Sequence, residues 1–462
     1  MMTFSDFPPL AEDTPYFTTQ AIHDYYKRYA KAHNLLQCIQ FDTRVVKIRK
    51  TSDHEKTGQW EVFSCPASGC SPDDVSTENK SKDIDLDKCK KSVFDFVLVC
   101  TGFFKSPVYP SIPGLETFTG TVQHSFDYTS SSQYKNKTVL VVGNSFSAGD
   151  ISYDISTQAK QVHLMLRQGT WIVPRILSGG RPFDNCKRRC DMYSRNPEKI
   201  INRILIHEAQ DKIDHVTSGI CPDQPPSVSA WMIGDGIYTA LMSGQIKTYG
   251  HLARIDGCDA VFQDGTRVTG LDAIVLCTGY EPDYPFFDQG IIQEFDKMGL
   301  FKMVFPIVEE KHTLGFIGAF AGVGAIAPVC ELQSRYSAKI FAGKLTLPPV
   351  DVMRADVQFW TFVCSRNRNR KYYYYLPCFE FQDTIAKLLG VFPGFWRLLI
   401  LDPVLAYRCW YGPMFSAQYR LLGPDSNWKQ ARAICNTAYT EGCLSLRHSK
   451  LPRDGITSPK GN

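Results

Sequence analysis

The sequence predicts an α/β protein built from two copies of one strand-and-hairpin unit, and three observations carry that prediction. Thr138 to Asp150 reads TVLVVGNSFSAGD, an apolar strand that breaks into a turn of small residues and opens a helix. Gln161 to Leu166 then forms a second apolar strand, completing strand, helix and strand. Asp95 to Phe103, DFVLVCTGF, and Asp272 to Tyr280, DAIVLCTGY, are one strand written twice, each ending in Cys-Thr-Gly in the same register. A hairpin signal precedes both: GQWEVFS before the first, and AVFQDGTRVTG with its Asp-Gly turn before the second.

Taken in chain order, the first element is a helix that Thr18 or Thr19 can cap, with Ile22, Tyr25, Tyr26 and Tyr29 recurring at helical spacing as a core face. The tract from Pro66 to Ser92 is polar, charged and broken by Gly and Pro, and reads as a surface insertion in the first hairpin. Phe118, Gly120, His124 and Tyr128 follow in the spacing F-x-G-x-x-x-H-x-x-x-Y. In the next turn, Gly143, Ser145, Ser147 and Ala148 are small enough to let backbone N–H groups and a helix N-terminus approach an anion, as a dinucleotide phosphate requires. The strict G-x-G-x-x-G has become G-x-S-x-S-A, so an ordinary strand-to-helix connection is the competing reading. The helix is expected over Ile151 to Thr157. Arg167 ends the following strand; an acidic residue there suits an NAD ribose and a cation suits the 2′-phosphate of NADP, so Arg167 is either the NADPH selector or a solvated strand-end arginine.

Composition sets bounds. With 462 residues, 44% of them hydrophobic, the chain can bury one large or two ordinary cores, and 13% aromatic content suits flat-ring cofactors. A net charge of +4 gives no argument for nucleic acid. Sixteen cysteines are scattered without paired spacings, as in a protein with reduced thiols facing the cytosol, and Cys186 and Cys190 lack the neighbouring ligand pairs of a metal site. Thr313 to Cys330 carries no charge, but its four glycines and a proline make it strand, loop and helix start rather than a membrane span. Leu388 to Gly412 is rich in Leu, Phe, Trp and Tyr yet broken by Pro393, Arg397, Asp402, Pro403 and Arg408, a pattern that suits an interface rather than a crossing. The basic and aromatic run from Arg366 to Tyr375 belongs with it, or is a solvated loop beside a buried helix.

The F-x-G-x-x-x-H-x-x-x-Y spacing just upstream of an NADPH-type turn resembles the identifying signature of the flavin-containing monooxygenases, and every required position is present. The opening MMTFSDFPPLAEDTPYF, the stretch Gly324 to Gly343 and the stretch Leu401 to Pro424 resemble that family as well. The resemblance implies two dinucleotide-binding (Rossmann-like) domains, one for FAD and one for NADPH, with the NADPH domain (137–282) inserted between FAD parts at 1–136 and 283–462. In that family FAD has its own strand and G-x-G-x-x-G turn, and no such turn lies between Met1 and Arg49. The first βαβ unit of the FAD domain is therefore expected upstream of this start, or absent from a shortened product.

The implied activity is NADPH- and O₂-dependent oxygenation of a soft nitrogen or sulfur centre in a small amine or sulfide. The cofactors carry the chemistry, so no acid or base residue is assigned as catalytic. Ser145, Ser147, Ala148, Gly149 and Asp150 are expected around the NADP pyrophosphate and ribose; Thr101, Gly102, Thr278 and Gly279 near the cofactors or hinge; Glu331 and Gln333 on the flavin side or on a solvated helix face. His124 and Tyr128 are assigned to the wall joining the domains, by packing or by cofactor contact. Peripheral association with the endoplasmic reticulum membrane completes what the resemblance implies, while the sequence leaves open whether the chain forms a homo-oligomer. A Baeyer-Villiger or N-hydroxylating relative, and an FAD-free NADP-binding protein, are the alternatives.

Overall fold

The computed structural model describes residues 3–441 apart from 11–12, 15, 70–84, 179, 184–186, 289–290, 292–298 and 366–374. At its centre lies a five-stranded parallel sheet in the order Ile246–Tyr249, Gln161–Met165, Thr138–Val142, Ala273–Leu276, Thr121–His124. Parallel strands covered on both faces read as continuous apolar runs, and Val139 to Val142 and Ala273 to Leu276 are all buried. Alternate residues serve opposite faces. Val139 and Val141 pack under Ile151 and Ile155 of the helix Phe146–Ser156, while Leu140 and Val142 meet Leu252, Ile255 and Phe262 of an antiparallel meander.

Three sequence expectations shift here. The helix begins at Phe146, five residues before the expected Ile151, because Ala148 and Gly149 belong to its buried face and not to the turn. A Cβ on Gly149 would sit 3.1 Å from the Met232 side chain, so the small residues are there for close helix packing. The sheet takes its edge strand from Thr121–His124, so this unit starts upstream of the expected boundary at 137. The first hairpin's insertion is shorter than 66–92, since Trp60–Pro66 pairs with Lys90–Phe94 and the strand already includes Ser92.

The repeat is real in three dimensions. Thr43–Lys50, Trp60–Pro66 and Lys90–Phe94 form one antiparallel meander that leads into Val97–Val99; Leu252–Asp256, Asp259–Phe262 and Arg267–Val268 form another that leads into Ala273–Leu276. Each aspartate that opens a repeat strand is a fastener: Asp95 accepts from Gln59 Nε2 at 2.8 Å, and Asp272 accepts from the Thr138 N–H at 2.7 Å. Val97–Val99 pairs in parallel with Leu314–Phe316, and around them Trp60, Phe305, Phe316, Trp360 and Phe381 build the second core. The uncharged stretch from Thr313 resolves into strands Leu314–Phe316 and Ala321–Val323 and the start of helix Ile326–Phe341.

Thr18 caps the helix Thr19–Ala32, accepting from the Ala21 N–H at 3.1 Å; Tyr25 is fully buried beneath it, whereas Tyr26 faces outward. The two units meet at a ribbon of Ser106–Pro107 against Tyr280–Glu281 and at a buried ion pair. Arg189 donates to Asp383 through Nε at 3.1 Å and Nη2 at 3.0 Å, and its Nη1 donates to the Cys409 carbonyl at 3.1 Å and to Gln418. The Tyr193 and Tyr419 hydroxyls complete the shell of Asp383 at 3.2 and 2.8 Å. Among the described residues no helix is long and apolar enough to cross a membrane. The stretch expected to lie in an interface folds as two short helices, Phe395–Leu401 and Pro403–Tyr411, with Asp402 capping the second.

Candidate functional site

The crevice forms where the strand Thr138–Val142 hands over to its helix. Gly143 has φ +153°, and a Cβ there would lie 2.6 Å from the Cys277 carbonyl oxygen, so only glycine lets the turn press onto the neighbouring strand. Its N–H donates to the Met165 carbonyl at 3.3 Å, which brings the turn beside the exposed Arg167 two residues on. Thr170 Oγ1 donates to the Asn144 carbonyl at 3.0 Å and fixes the turn from outside. No side chain caps the helix, whose N-terminus carries the positive end of the peptide dipole.

Beside this helix end lies a cleft of about 290 Å³ lined by Tyr16, Phe146, Asp150, Arg175, Phe183 and Ile233. Arg175 Nη2 pairs with Asp150 Oδ1 at 2.7 Å. Tyr16 ties the cleft shut on one side: its hydroxyl donates to the Arg175 carbonyl at 2.6 Å and accepts from the Phe183 N–H at 3.0 Å. Of the expected phosphate residues, Gly143, Ser145 and Ser147 sit at the helix mouth, while Ala148 and Gly149 are buried against the sheet. Asp150 is a carboxylate held by Arg175, so the cation, absent from the sequence reading, is the group that suits an anion here. Arg175 could have been noticed as a cation eight residues past Arg167. Tyr16 had no local signal, because its partners lie far along the chain.

The signature residues support this turn from behind. Gly120 is required because a Cβ would lie 2.4 Å from the Asp272 carbonyl oxygen and 2.5 Å from the Phe118 ring. His124 is buried at the end of its strand, where Nδ1 accepts from the Phe126 N–H at 3.0 Å and the ring meets Tyr280 edge-on at 5.2 Å. Burial holds its pKa below the usual histidine value, so it is neutral, although Asp127 and the Gly279 backbone pull the other way. The Tyr128 hydroxyl donates to Asp154 on the turn helix, and burial followed by that carboxylate pushes its pKa upward. The signature thus braces the helix that faces the crevice.

Other expected residues have different tasks. Thr278 Oγ1 donates to the Val108 carbonyl at 2.6 Å and the Gly279 carbonyl accepts from the Val108 N–H at 3.0 Å, so both anchor the ribbon between the units. Thr101 is exposed, and Gly102, with φ +78°, faces open space. Glu331 and Gln333, expected on the flavin side or on a solvated helix face, are held by partners within the protein. Glu331 accepts from the Ser5 backbone and hydroxyl and from Arg420, and the fully buried Gln333 accepts from Gly318 N–H and donates to the Lys302 carbonyl at 3.0 Å. Their polar atoms are spent on the protein itself. Cys186 lies outside the described residues, as does the run from Arg366 except Tyr375; no metal-binding group of His, Cys, Asp or Glu occurs among the described residues.

A parallel sheet with a glycine turn at a helix mouth, and a second copy of its strand-and-meander unit, defines a dinucleotide-binding α/β protein. The chain belongs to the flavin-binding monooxygenase-like family, whose sequence model matches residues 1–452. It is similar to flavin-containing monooxygenase 5 of Cavia porcellus, 32% identical over 451 residues that span 95% of this chain and 80% of that protein. Dimethylaniline monooxygenase 2 (N-oxide-forming) of Rattus norvegicus is 32% identical over 447 residues, 94% of this chain and 78% of that protein. The fold is also that of S-allyl-L-cysteine S-oxygenase from Allium sativum, at a TM-score of 0.58 and 21% identity over 95% of this chain and 82% of that one. Cyclohexanone monooxygenase from Rhodococcus sp. Phi1, solved with NADP⁺, gives 0.57 at 13% identity, covering 84% of each chain.

Proposed function

We propose that this protein is an FAD- and NADPH-dependent monooxygenase that places one atom of O₂ on a soft nucleophilic nitrogen or sulfur of a small molecule. Family membership supports the reaction class, and the observation that carries the coenzyme assignment is the uncapped helix mouth at Gly143 with Arg167 and Arg175 at its borders. Bound flavin and nicotinamide supply the redox chemistry. The chain's own residues bind and orient. The turn and first helical residues take the pyrophosphate, Arg167 takes the 2′-phosphate, and Arg175 balances charge across the cleft while Tyr16 holds its wall. Phe146, Phe183 and Ile233 give the cleft its apolar wall. No side chain there is placed as an acid or base, since Asp150 is already paired.

The test is purification followed by an assay for NADPH consumption dependent on an amine or sulfide. A yellow protein that forms the N- or S-oxide supports the reading. A folded, colourless protein that binds NADP but oxygenates nothing overturns it.

The same reading includes docking on the endoplasmic reticulum membrane surface. Trp396, Ile400, Leu401, Val404, Tyr407 and Tyr411 stand exposed on two successive helices, with Trp396 75% and Ile400 86% accessible. Apolar and interfacial aromatic side chains displayed together in this way fit the headgroup boundary of a lipid layer.

A further inference from the structure

The helix Val350–Ser365 is apolar on two sides. Met353, Trp360 and Cys364 pin one side into the second core. The other side carries Val352, Ala355, Phe359 and Phe362, in steps of three, four and three residues, so the four line a single stripe along the helix. All four are exposed, Val352 by 49%, Phe359 by 57% and Phe362 by 65%. A surface helix of a lone globular chain keeps its apolar stripe for the core and turns charged and polar residues outward, so a second stripe facing out marks an interaction surface.

We propose that this stripe joins two copies of the chain as an antiparallel helix pair. The stripe is self-complementary. Val352 and Phe362 lie five residues to either side of Val357, and Ala355 and Phe359 lie two to either side. A second copy laid in the opposite direction, about a two-fold axis at Val357, sets Val352 against Phe362 and Ala355 against Phe359. Every small side chain then faces a large one, and each contact occurs twice, as a two-fold interface requires. Parallel pairing would instead put Phe359 on Phe359 and Ala355 on Ala355, crowding one layer and leaving a gap in the next.

The flanks favour a second copy over a lipid surface. Asp351, Arg354, Gln358 and Thr361 stand exposed beside the stripe and carry no net charge together, so two copies approach without repulsion. A helix that lies on lipid has a polar face rich in Lys and Arg, and here a single arginine is matched by a single aspartate. At about 200 Å² per side chain, the two phenylalanines of each copy present about 500 Å² between the two copies. Val352, Ala355 and the flanks extend this toward the roughly 1,200 Å² at which specific interfaces begin. The pair is thus weak and forms in proportion to concentration.

Sedimentation velocity on the full chain, across roughly 1 to 100 µM where interfaces of this size associate, tests the pair. The expected result is a dimer fraction that rises with concentration, with Phe359→Glu and Ala355→Arg each holding the chain monomeric. Mixed in equal amounts, the two variants should pair again, because their substituted positions face each other at one contact while Phe359 still meets Ala355 at the other. A parent chain that stays monomeric throughout overturns the proposal. So does a dimer that Phe359→Glu leaves intact, or a mixture that remains monomeric. Unchanged unfolding midpoints show that the variants are folded; should either lose its fold, Phe362→Ser removes the contact with Val352 without adding charge, and it should raise the dissociation constant at least tenfold, an unaltered constant again overturning the pair.

Discussion

At Gly143 the chain has room for a hydrogen and nothing larger. Alanine there meets the Cys277 carbonyl oxygen and an unfavourable φ together, so Gly143→Ala should cost roughly 1–3 kcal/mol in strain and lower the unfolding midpoint as well as NADP affinity. A variant that keeps full stability and loses only NADP would show that the turn yields more easily than its packing implies. The two arginines separate by role. Arg167→Ala should raise KM for NADPH over that for NADH by about 1.5–3 kcal/mol, the loss of one charge-assisted contact. Arg175→Ala should weaken both coenzymes together, since its place is across the helix mouth beside Asp150. Equal effects of Arg167→Ala on the two coenzymes would remove the 2′-phosphate role. Gly143 and Arg167 were legible because local spacing defines them. Arg175 was not, because its meaning depends on Asp150 and Tyr16, which the fold brings to it from elsewhere.

Just past the signature strand, the Tyr128 hydroxyl joins the turn helix at Asp154, with Ser131 on the other carboxylate oxygen at 3.3 Å. Tyr128→Phe removes the donor to Asp154 and should destabilise by about 1.5–3 kcal/mol, read by urea unfolding, with weaker coenzyme binding as the helix loses its brace. Acid should loosen the same sheet. Burial depresses the pKa of His163 to about 4 and lowers those of His124 and His215, so each prefers to be neutral in the folded chain. Because the unfolded histidines titrate near 6.5, this stabilisation is complete above that pH and is lost as the pH falls toward 4. His163→Gln should flatten the fall in unfolding midpoint between pH 6.5 and 4; an unchanged slope would assign the acid sensitivity to other groups. The strands were readable from apolar runs, yet the helix start was not. Ala148 and Gly149 looked like turn residues, and only contact with Met232 shows why a buried helix face is so small there.

For the molecule as a whole, the written repeat was the most reliable guide, since DFVLVCTGF and DAIVLCTGY occupy matching places after matching meanders. The partners of Glu331 were not legible, because polar residues on a helix give no hint of distant partners such as Ser5 and Arg420. The exposed apolar ridge on the C-terminal helices gives a test at this scale. Replacing Trp396 and Ile400 by serine should weaken binding to phospholipid vesicles at least tenfold, since each such side chain contributes roughly 1.5–3 kcal/mol on leaving water. Unaltered co-sedimentation would mean that the ridge meets something other than lipid. Arg189 sets a limit on how the molecule can breathe. Pulling the inserted body away from the C-terminal helices would strand a guanidinium and a carboxylate in an oily seam, at about 3–5 kcal/mol for a widowed charge. An opening between the two bodies that keeps this pair closed would have to hinge beside it and stretch lighter holds instead, such as the two-residue ribbon of Ser106–Pro107 against Tyr280–Glu281.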